Sequence, residues 1–218
     1  MIGALVVAVA LATGSCPSNM ADSVHPSGGS TELVSVVAPR PRTTYASLTV
    51  WRLSDGCWKT VAGPWTARIG RNGLSDHHRE GDGTTPTGAF GFGPVVYGLA
   101  PNPGVHLRYH RLVCGDWWDE DPSSPTYNTF RHLDCGAKPT FGRGSEALWR
   151  QVPAYRYFAV IRYNAGPVVP GDGSAIFLHE DTGQATNGCV SLPRAELVTV
   201  LGSLRPAGRP LIVISAGR

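Results

Sequence analysis

Closely spaced glycine and proline residues restrict this chain to short secondary-structure elements. The 218 residues include 27 Gly and 18 Pro, a density that favours turns and short strands over long helices. Between the turns lie alternating or apolar runs that are typical of strands, at residues 48–53, 58–61, 65–69, 88–92, 155–163, 175–178 and 209–215. We therefore predict a mostly β, sandwich-like domain with one or two short helices, at residues 145–150 and about 194–204.

The overall composition supports a packed core and argues against nucleic acid as a partner. Hydrophobic residues make up 42% of the chain and charged residues only 16%, which is too little charge for a disordered chain. The formal net charge is +3, and both signs are scattered along the sequence. Because nucleic-acid binding needs a concentrated basic patch, this distribution predicts none.

The first residues resemble an export signal. Residues 1–12 are apolar but shorter than the roughly 20 residues that span a bilayer, and they are typical of the apolar region of a secretory signal. Cleavage before Cys16, as in a lipoprotein, and plain cleavage near Ala21 both remain open. We expect an exported protein, secreted or held at the membrane only by its N-terminal signal or a lipid anchor.

The chain is accordingly divided into three parts. Residues 1–21 are predicted to be a signal peptide or lipoprotein signal. Residues 22–44 are rich in Ser, Gly and Pro and are predicted to be a flexible tether. Residues 45–218 are predicted to form the folded domain, since the strand-like runs begin there.

Export determines how the five cysteines are interpreted. In an oxidising compartment, Cys114 and Cys135 bracket an irregular loop and are predicted to form a disulfide, worth about 3 kcal/mol by loop closure. Cys57 has no evident partner and is expected to be a buried thiol, and Cys16 is expected to be lipidated or removed. Cys189 is then a free thiol, although a Cys57–Cys189 disulfide is the competing interpretation.

The stretch around Cys189 contains the parts of a thiol nucleophile. The apolar run 175–178 ends in His179, and a polar loop returns to Asn187, Gly188 and Cys189, just before a predicted helix. A cysteine with an ordinary pKa near 8.5 is mostly protonated at neutral pH, so His179 is predicted to take its proton. Backbone N–H groups of Asn187, Gly188 and Cys189 are predicted to stabilise an oxyanion. A buried structural histidine is the alternative for His179.

A second group of titratable residues precedes residue 83. His77 and His78 lie near Asp76, Glu80 and Asp82, which raises the possibility of a metal site. Adjacent histidines on a strand point to opposite faces, and the spacing of metal ligands is missing. We therefore predict a solvated loop and no metal.

The loop that follows Cys114 has an unusual composition. Trp117 and Trp118 stand among four carboxylates within residues 114–128. They fit either a groove for sugar or peptide or a small core under a disulfide-bonded loop, and both interpretations stay open.

Two motifs resemble the L,D-transpeptidase (YkuD-like) family. His179 followed by Thr186-Asn187-Gly188-Cys189 resembles its histidine and Ser/Thr-x-Gly-Cys signature, and residues 83–90 resemble its Thr-Pro-x-Gly-x-Phe turn. The resemblance covers about residues 47–215, and the loop after Cys114 is similar to an exported, actinobacterial-type branch. The chain departs from the pattern at Asn187, where the family often has His, and at Ser191, where it often has Arg or Asn. The interval from His179 to Cys189 is also shorter than usual.

The resemblance implies a cysteine transpeptidase that acts on peptidoglycan stem peptides. Cys189 would attack the bond between meso-diaminopimelate and D-alanine, form a thioester, and pass the acyl group to the amine of a neighbouring stem. No metal or organic cofactor is implied, and carbapenem β-lactams would acylate the same cysteine. The carbonyl of Glu180 is expected to orient His179, ahead of the side chains of Glu180 and Asp181. The residues expected to contact the stem are Tyr163, Asn164, Thr186, Asn187 and Ser191.

Two other functions remain open. Water in place of the acceptor amine would make the protein a thiol amidase or carboxypeptidase with the same catalytic residues. The departures at Asn187 and Ser191 would also fit a wall-binding module without activity.

Overall fold

The computed structural model describes residues 16–24, 29–142 and 144–217. Most of the predicted signal segment, residues 1–15, lies outside the described residues. Among the residues described, no helix has the length and apolar character needed to cross a membrane.

Short strands dominate the structure. The single α-helix of the described residues, α1, spans Arg194–Ser203, and 3-10 helices span Met20–Ser23, Leu148–Arg150, Ala154–Arg156 and Pro206–Gly208. The strands are β1 (Glu32–Ala38), β2 (Tyr45–Ser54), β3 (Cys57–Arg68), β4 (Leu74–Ser75), β5 (Thr85–Pro86), β6 (Gly88–Gly98), β7 (Arg108–Arg111), β8 (Asp116–Asp119), β9 (Thr129–His132), β10 (Glu146–Ala147), β11 (Phe158–Ile161), β12 (Phe177–Glu180), β13 (Val190–Leu192) and β14 (Leu211–Ala216).

The main sheet curls into a barrel-like sandwich. Its strand order is β11-β12-β13-β3-β2-β1-β14-β6-β7, and β11 also pairs with β6, so the sheet closes on itself. Apolar side chains fill the interior, including Val34, Leu48, Ile161, Leu178 and Ile212. Helix α1 packs on this core through Leu197, Val200 and Leu201. The mostly β fold class is confirmed.

The predicted tether is wrong for residues 32–38, which form β1. This strand lies between β2 and β14, and its side chains are almost all buried. The sequence of a strand that is covered on both faces is mostly apolar and does not alternate between apolar and polar residues. The Ser, Gly and Pro residues on either side hid that run from the sequence analysis.

Two predictions about Cys16 and Cys57 are also corrected. The two residues form a disulfide with a Cα–Cα separation of 5.5 Å, so Cys57 is not a lone thiol and Cys16 is not available for lipidation. Ala21, beside them, is fully buried against Leu33 and Trp58. The segment around residue 20 therefore belongs to the folded domain. The predicted Cys114–Cys135 disulfide is confirmed.

The helix predictions had mixed outcomes. Helix α1 begins at Arg194 as expected and ends at Ser203. The segment 145–150 is different, because β10 occupies Glu146–Ala147 and only a 3-10 helix, Leu148–Arg150, follows. The N-cap of this 3-10 helix is Ala147, which provides no side-chain cap. Pairing of β10 with β8 replaces the first helical turn.

Candidate active site

The sheet places Cys189 and His179 on one face. Strands β12 and β13 are parallel, with Leu178 paired to Val190 and His179 paired to Ser191. Because side chains alternate along a strand, Cys189, one residue before Val190, points to the same side as His179. Across these two strands Cys189 is offset by two residues from His179, which places their Cα atoms about 8 Å apart. Two side chains can bridge that separation.

The His179 ring is buried and oriented. Its Nδ1 donates a hydrogen bond to the carbonyl oxygen of Glu180 at 2.8 Å, since a carbonyl can only accept. Nε2 is therefore the unprotonated, basic nitrogen. Burial lowers the pKa of His179, although the Glu180 carbonyl and the charges of Asp181 and Glu180 act the other way. The imidazole is neutral at pH 7 and available as a base.

The Glu180 side chain has a different task. Its carboxylate accepts hydrogen bonds from Arg194 and forms an ion pair with Arg156 at 3.2 Å. Asp181 accepts from Ser191 and from the backbone of Gly183. Of the three groups expected near the ring, only the Glu180 carbonyl contacts it.

Cys189 is a free thiol held by backbone groups. Its Sγ donates to the carbonyl of Ala175 at 3.2 Å and accepts from the N–H of Phe177 at 3.4 Å. Among the described residues, no hydrogen bond joins Sγ to His179. Burial raises the pKa of the thiol, and the nearby Glu146 and Glu120 add to the rise. The resting sulfur is therefore protonated.

The turn before Cys189 depends on a glycine. Gly188 has φ +148°, and a Cβ there would lie 3.0 Å from the Thr84 carbonyl oxygen. Its N–H donates to the Thr186 hydroxyl, which itself donates to the Cys189 carbonyl at 2.6 Å. Of the three predicted oxyanion donors, the Gly188 N–H is thus already bonded inside the turn.

Most of the predicted substrate contacts have structural partners instead. Thr186 holds the turn, and Ser191 is buried against Asp181. The Tyr163 hydroxyl donates to the Asp172 carbonyl, and the Asn164 amide donates to the carbonyls of Val169 and Gly173. These four side chains do not line the cavity at Cys189, whereas Asn187 does. Stem contacts through the four remain unsupported because their polar atoms are occupied or buried.

Cys189 opens onto a cavity of about 240 Å³ with acidic walls. Three carboxylates line it: Glu80, Glu120 and Glu146. Burial raises the pKa of Glu120 most, and the charges of Glu146 and Glu80 raise it further; burial also raises the pKa of Glu146. One oxygen of Glu120, Oε1, is buried without a hydrogen-bond partner in the described structure. Arg71 lies at the same cavity and donates to the Asn187 side chain.

His78 is one of the cavity residues that sequence reasoning missed. The predicted solvated loop is wrong here, because only 5% of His78 is exposed and the ring packs edge-on against Tyr163. Its Nδ1 lies 3.0 Å from both Asp82 Oδ1 and Thr84 Oγ1. The sequence did offer one indication that His78 lies at the site, because its loop leads directly into the turn at residues 83–90. That turn contacts the Cys189 segment, with the Thr85 hydroxyl donating to the Cys189 carbonyl.

The tryptophan loop serves both as a small core and as a cavity wall. Trp118 is buried with its ring 5.0 Å from Phe177, and its Nε1 donates to Asn128. Trp117 packs edge-on against Phe141 and Trp149. Two residues after Trp118, the same loop brings Glu120 into the cavity.

A sequence model of the L,D-transpeptidase catalytic domain, YkuD, matches residues 43–213. This span covers well over half of the chain. The chain belongs to this family. Searches of curated proteins and of solved structures found no match. The family match includes both motifs and begins after β1, so β1 and the disulfide-linked Cys16 lie outside it.

Proposed function

We propose that the chain is an exported cysteine L,D-transpeptidase that acts on peptidoglycan stem peptides. The observation that carries the proposal is the free thiol of Cys189, which opens onto a cavity and shares a sheet face with an oriented, neutral His179. Membership of the L,D-transpeptidase family supplies the reaction class. Two disulfides support an oxidising, extracytoplasmic location, because such bonds are rare in the cytosol.

The first half-reaction forms an acyl-enzyme. His179 Nε2 takes the thiol proton as Sγ attacks the carbonyl carbon between the third residue and D-alanine of the donor stem. Collapse of the tetrahedral intermediate breaks the C–N bond, and His179 returns the proton to the departing D-alanine amine. Because burial raises the thiol pKa, the proton transfer accompanies the attack instead of preceding it as a stable ion pair.

The second half-reaction decides between transferase and hydrolase. An amine that attacks the thioester yields a cross-link between two stems, whereas water yields a shortened stem. Glu80, Glu120 and Glu146 at the cavity favour an amine over water, since an amine enters as a cation and relieves the repulsion that these acids exert on one another. We therefore place the transpeptidase ahead of the amidase or carboxypeptidase.

Purified protein and tetrapeptide stems provide the test. Mass spectrometry should show cross-linked dimers and released D-alanine, and incubation with a carbapenem should add its mass to the peptide that contains Cys189. Tripeptides without dimers would establish the hydrolase. Folded, reduced protein with neither products nor an adduct would establish the wall-binding module.

A further inference from the structure

A second buried imidazole lies at the Cys189 cavity, and the reaction as described above does not use it. His78 comes from the loop between β4 and β5 and lines the cavity together with Cys189. Its side chain is only 3% exposed. Burying an imidazole is costly unless its polar atoms find partners, so the contacts of its two nitrogens indicate what it does.

The Nδ1 edge of the ring is fixed by a hydroxyl and a carboxylate, since Nδ1 lies 3.0 Å from Thr84 Oγ1, which accepts its hydrogen bond. Asp82 Oδ1 lies 3.0 Å from Nδ1, and Thr84 donates to the same oxygen from both its N–H and its hydroxyl, each at 2.8 Å. A carboxylate only accepts, so Nδ1 carries the proton and Nε2 carries the lone pair. Burial lowers the pKa of His78, while the charges of Asp82 and Glu80 act in the opposite direction. The ring is thus a neutral, oriented base.

The opposite edge of the ring faces the two segments that hold the nucleophile. A Cβ at Gly173 would lie 2.4 Å from Nε2, and a Cβ at Gly188 would lie 3.5 Å from Cε1. Gly173 precedes by two residues Ala175, whose carbonyl holds Sγ, and Gly188 directly precedes Cys189. Within the described residues, Nε2 has no hydrogen-bond partner. The two glycines leave room for the imidazole beside the thiol-bearing turn.

The cavity also suits an incoming ammonium group. Glu120 Oε1 is buried without a partner, and burial, reinforced by repulsion from Glu146 and Glu80, raises the pKa of Glu120 and disfavours its ionised form. An ammonium group supplies the missing hydrogen-bond donor to Oε1, and its positive charge offsets the repulsion among the three acids. It cannot attack a carbonyl until it loses a proton, however, and protonated acids cannot take one. Neutral His78 can.

We propose that His78, positioned by Asp82, is the proton acceptor for the amine that attacks the thioester on Cys189, so that His179 serves the thiol and His78 serves the amine. This proposal rests on the transpeptidase function proposed above. The amine nitrogen bonds to the thioester carbon and the C–S bond breaks. Of the two protons that an ammonium loses on becoming an amide N–H, one passes to His78 Nε2 and the other to the departing sulfur. His78 then releases its proton to solvent.

The test separates the two half-reactions, with the tetrapeptide stem as both donor and acceptor. D-alanine release and the Cys189 adduct report acylation, and dimer formation reports amine transfer. In His78→Gln the dimer-forming rate should fall about 100-fold, the usual scale of general-base catalysis, and much more than acylation does. Asp82→Asn leaves Thr84 Oγ1 at Nδ1 but removes the carboxylate charge beside the ring. It should slow transfer about 10-fold and move the acid limb of the transfer pH profile to lower pH, because the charge that raises the pKa of His78 is lost.

His77→Gln is the matched control, since this neighbouring histidine is exposed and should transfer at the wild-type rate. Two results would overturn the role proposed for His78 and leave the proposed transpeptidase function standing. One is a dimer-forming rate in His78→Gln within threefold of wild type. The other is an equal loss of acylation and transfer in both variants, which would mean that the His78–Asp82 pair only supports the fold. A wild-type protein that forms no adduct on Cys189 would overturn the proposed function, and this inference with it.

Discussion

The two sides of Cys189 provide opposite environments. On the sheet side the thiol packs against an apolar and aromatic cluster that includes Trp118, Tyr155, Phe158 and Phe177. On the cavity side it faces three carboxylates and His78. Tyr155 joins the two sides, because its ring lies 5.9 Å from that of His179 and its hydroxyl donates to Glu146. In the proposed reaction, the sheet side keeps the Cys189 thiol and the His179 imidazole neutral until substrate arrives, and the cavity side receives the charged groups of the substrate.

Removal of the thiol should have the largest effect. Cys189→Ala should lower product formation by on the order of 10⁶-fold, the scale seen when a covalent nucleophile is deleted, and should abolish the carbapenem adduct in intact-protein mass spectra. The double variant Cys16→Ser/Cys57→Ser is the control, because it removes two other sulfurs and should keep the adduct. An adduct that persists in Cys189→Ala would place the nucleophile elsewhere.

His179→Gln should follow, with acylation slowed about 10³-fold, within the usual range for loss of a general base. The amide cannot take the thiol proton, so the adduct should form slowly and its rate should rise with pH as hydroxide replaces the base. Stopped incubations with a carbapenem at several pH values would measure this. His106→Gln, at an exposed site, should behave as wild type. Acylation at the wild-type rate in His179→Gln would show that His179 is not the base that takes the thiol proton.

Glu120→Gln tests the cavity side. The folded-state pKa of Glu120 is raised, so its contribution to stability is present below the unfolded value near 4.5 and is lost as pH rises. The neutral amide should therefore stabilise the fold at pH 7 by on the order of 1 kcal/mol, with no gain at pH 4. It should also raise the KM for the acceptor amine about 10-fold. Urea unfolding at both pH values and steady-state kinetics would measure these effects.

The exposed Asp134→Asn is the matched control for Glu120→Gln and should change neither stability nor KM. A Glu120→Gln protein that is less stable than wild type at pH 7 would show that the carboxylate is a structural partner. The acidic cavity would then lose its proposed role in receiving the amine.

Sequence reasoning named the two residues on the sheet side of the candidate site, Cys189 and His179, and largely missed the residues on the cavity side. Strand β12 was predictable because an apolar run ending in His179 is a local pattern. His78 and Glu120 gave no such signal, since they come from loops whose positions depend on contacts far along the chain, such as that between Tyr127 and Glu80. The same reason hid β1, whose burial arises from pairing with β14, more than 170 residues away. Local patterns predict elements, whereas long-range pairing decides which loops meet at a site.

The smallest expected effect is on stability in acid, where the two buried histidines should differ. Both have lowered pKa values, so each contributes stability above the unfolded value near 6.5 that is lost as pH falls through its folded value, at about 1.4 kcal/mol for each tenfold loss of proton affinity. The charges of Asp82 and Glu80 oppose the lowering of the pKa at His78. At His179, Nδ1 meets a neutral carbonyl, and the charges of Asp181 and Glu180 contribute less than that hydrogen bond does.

The urea midpoint of the wild-type protein should fall between pH 7.5 and pH 5. His179→Gln should reduce this fall more than His78→Asn, in which the asparagine keeps a donor towards Asp82. His77→Asn should leave the fall at its wild-type size. Equal slopes in all three variants would mean that neither imidazole is held neutral by burial, and the contrast between the two sides of Cys189 would lose its electrostatic basis.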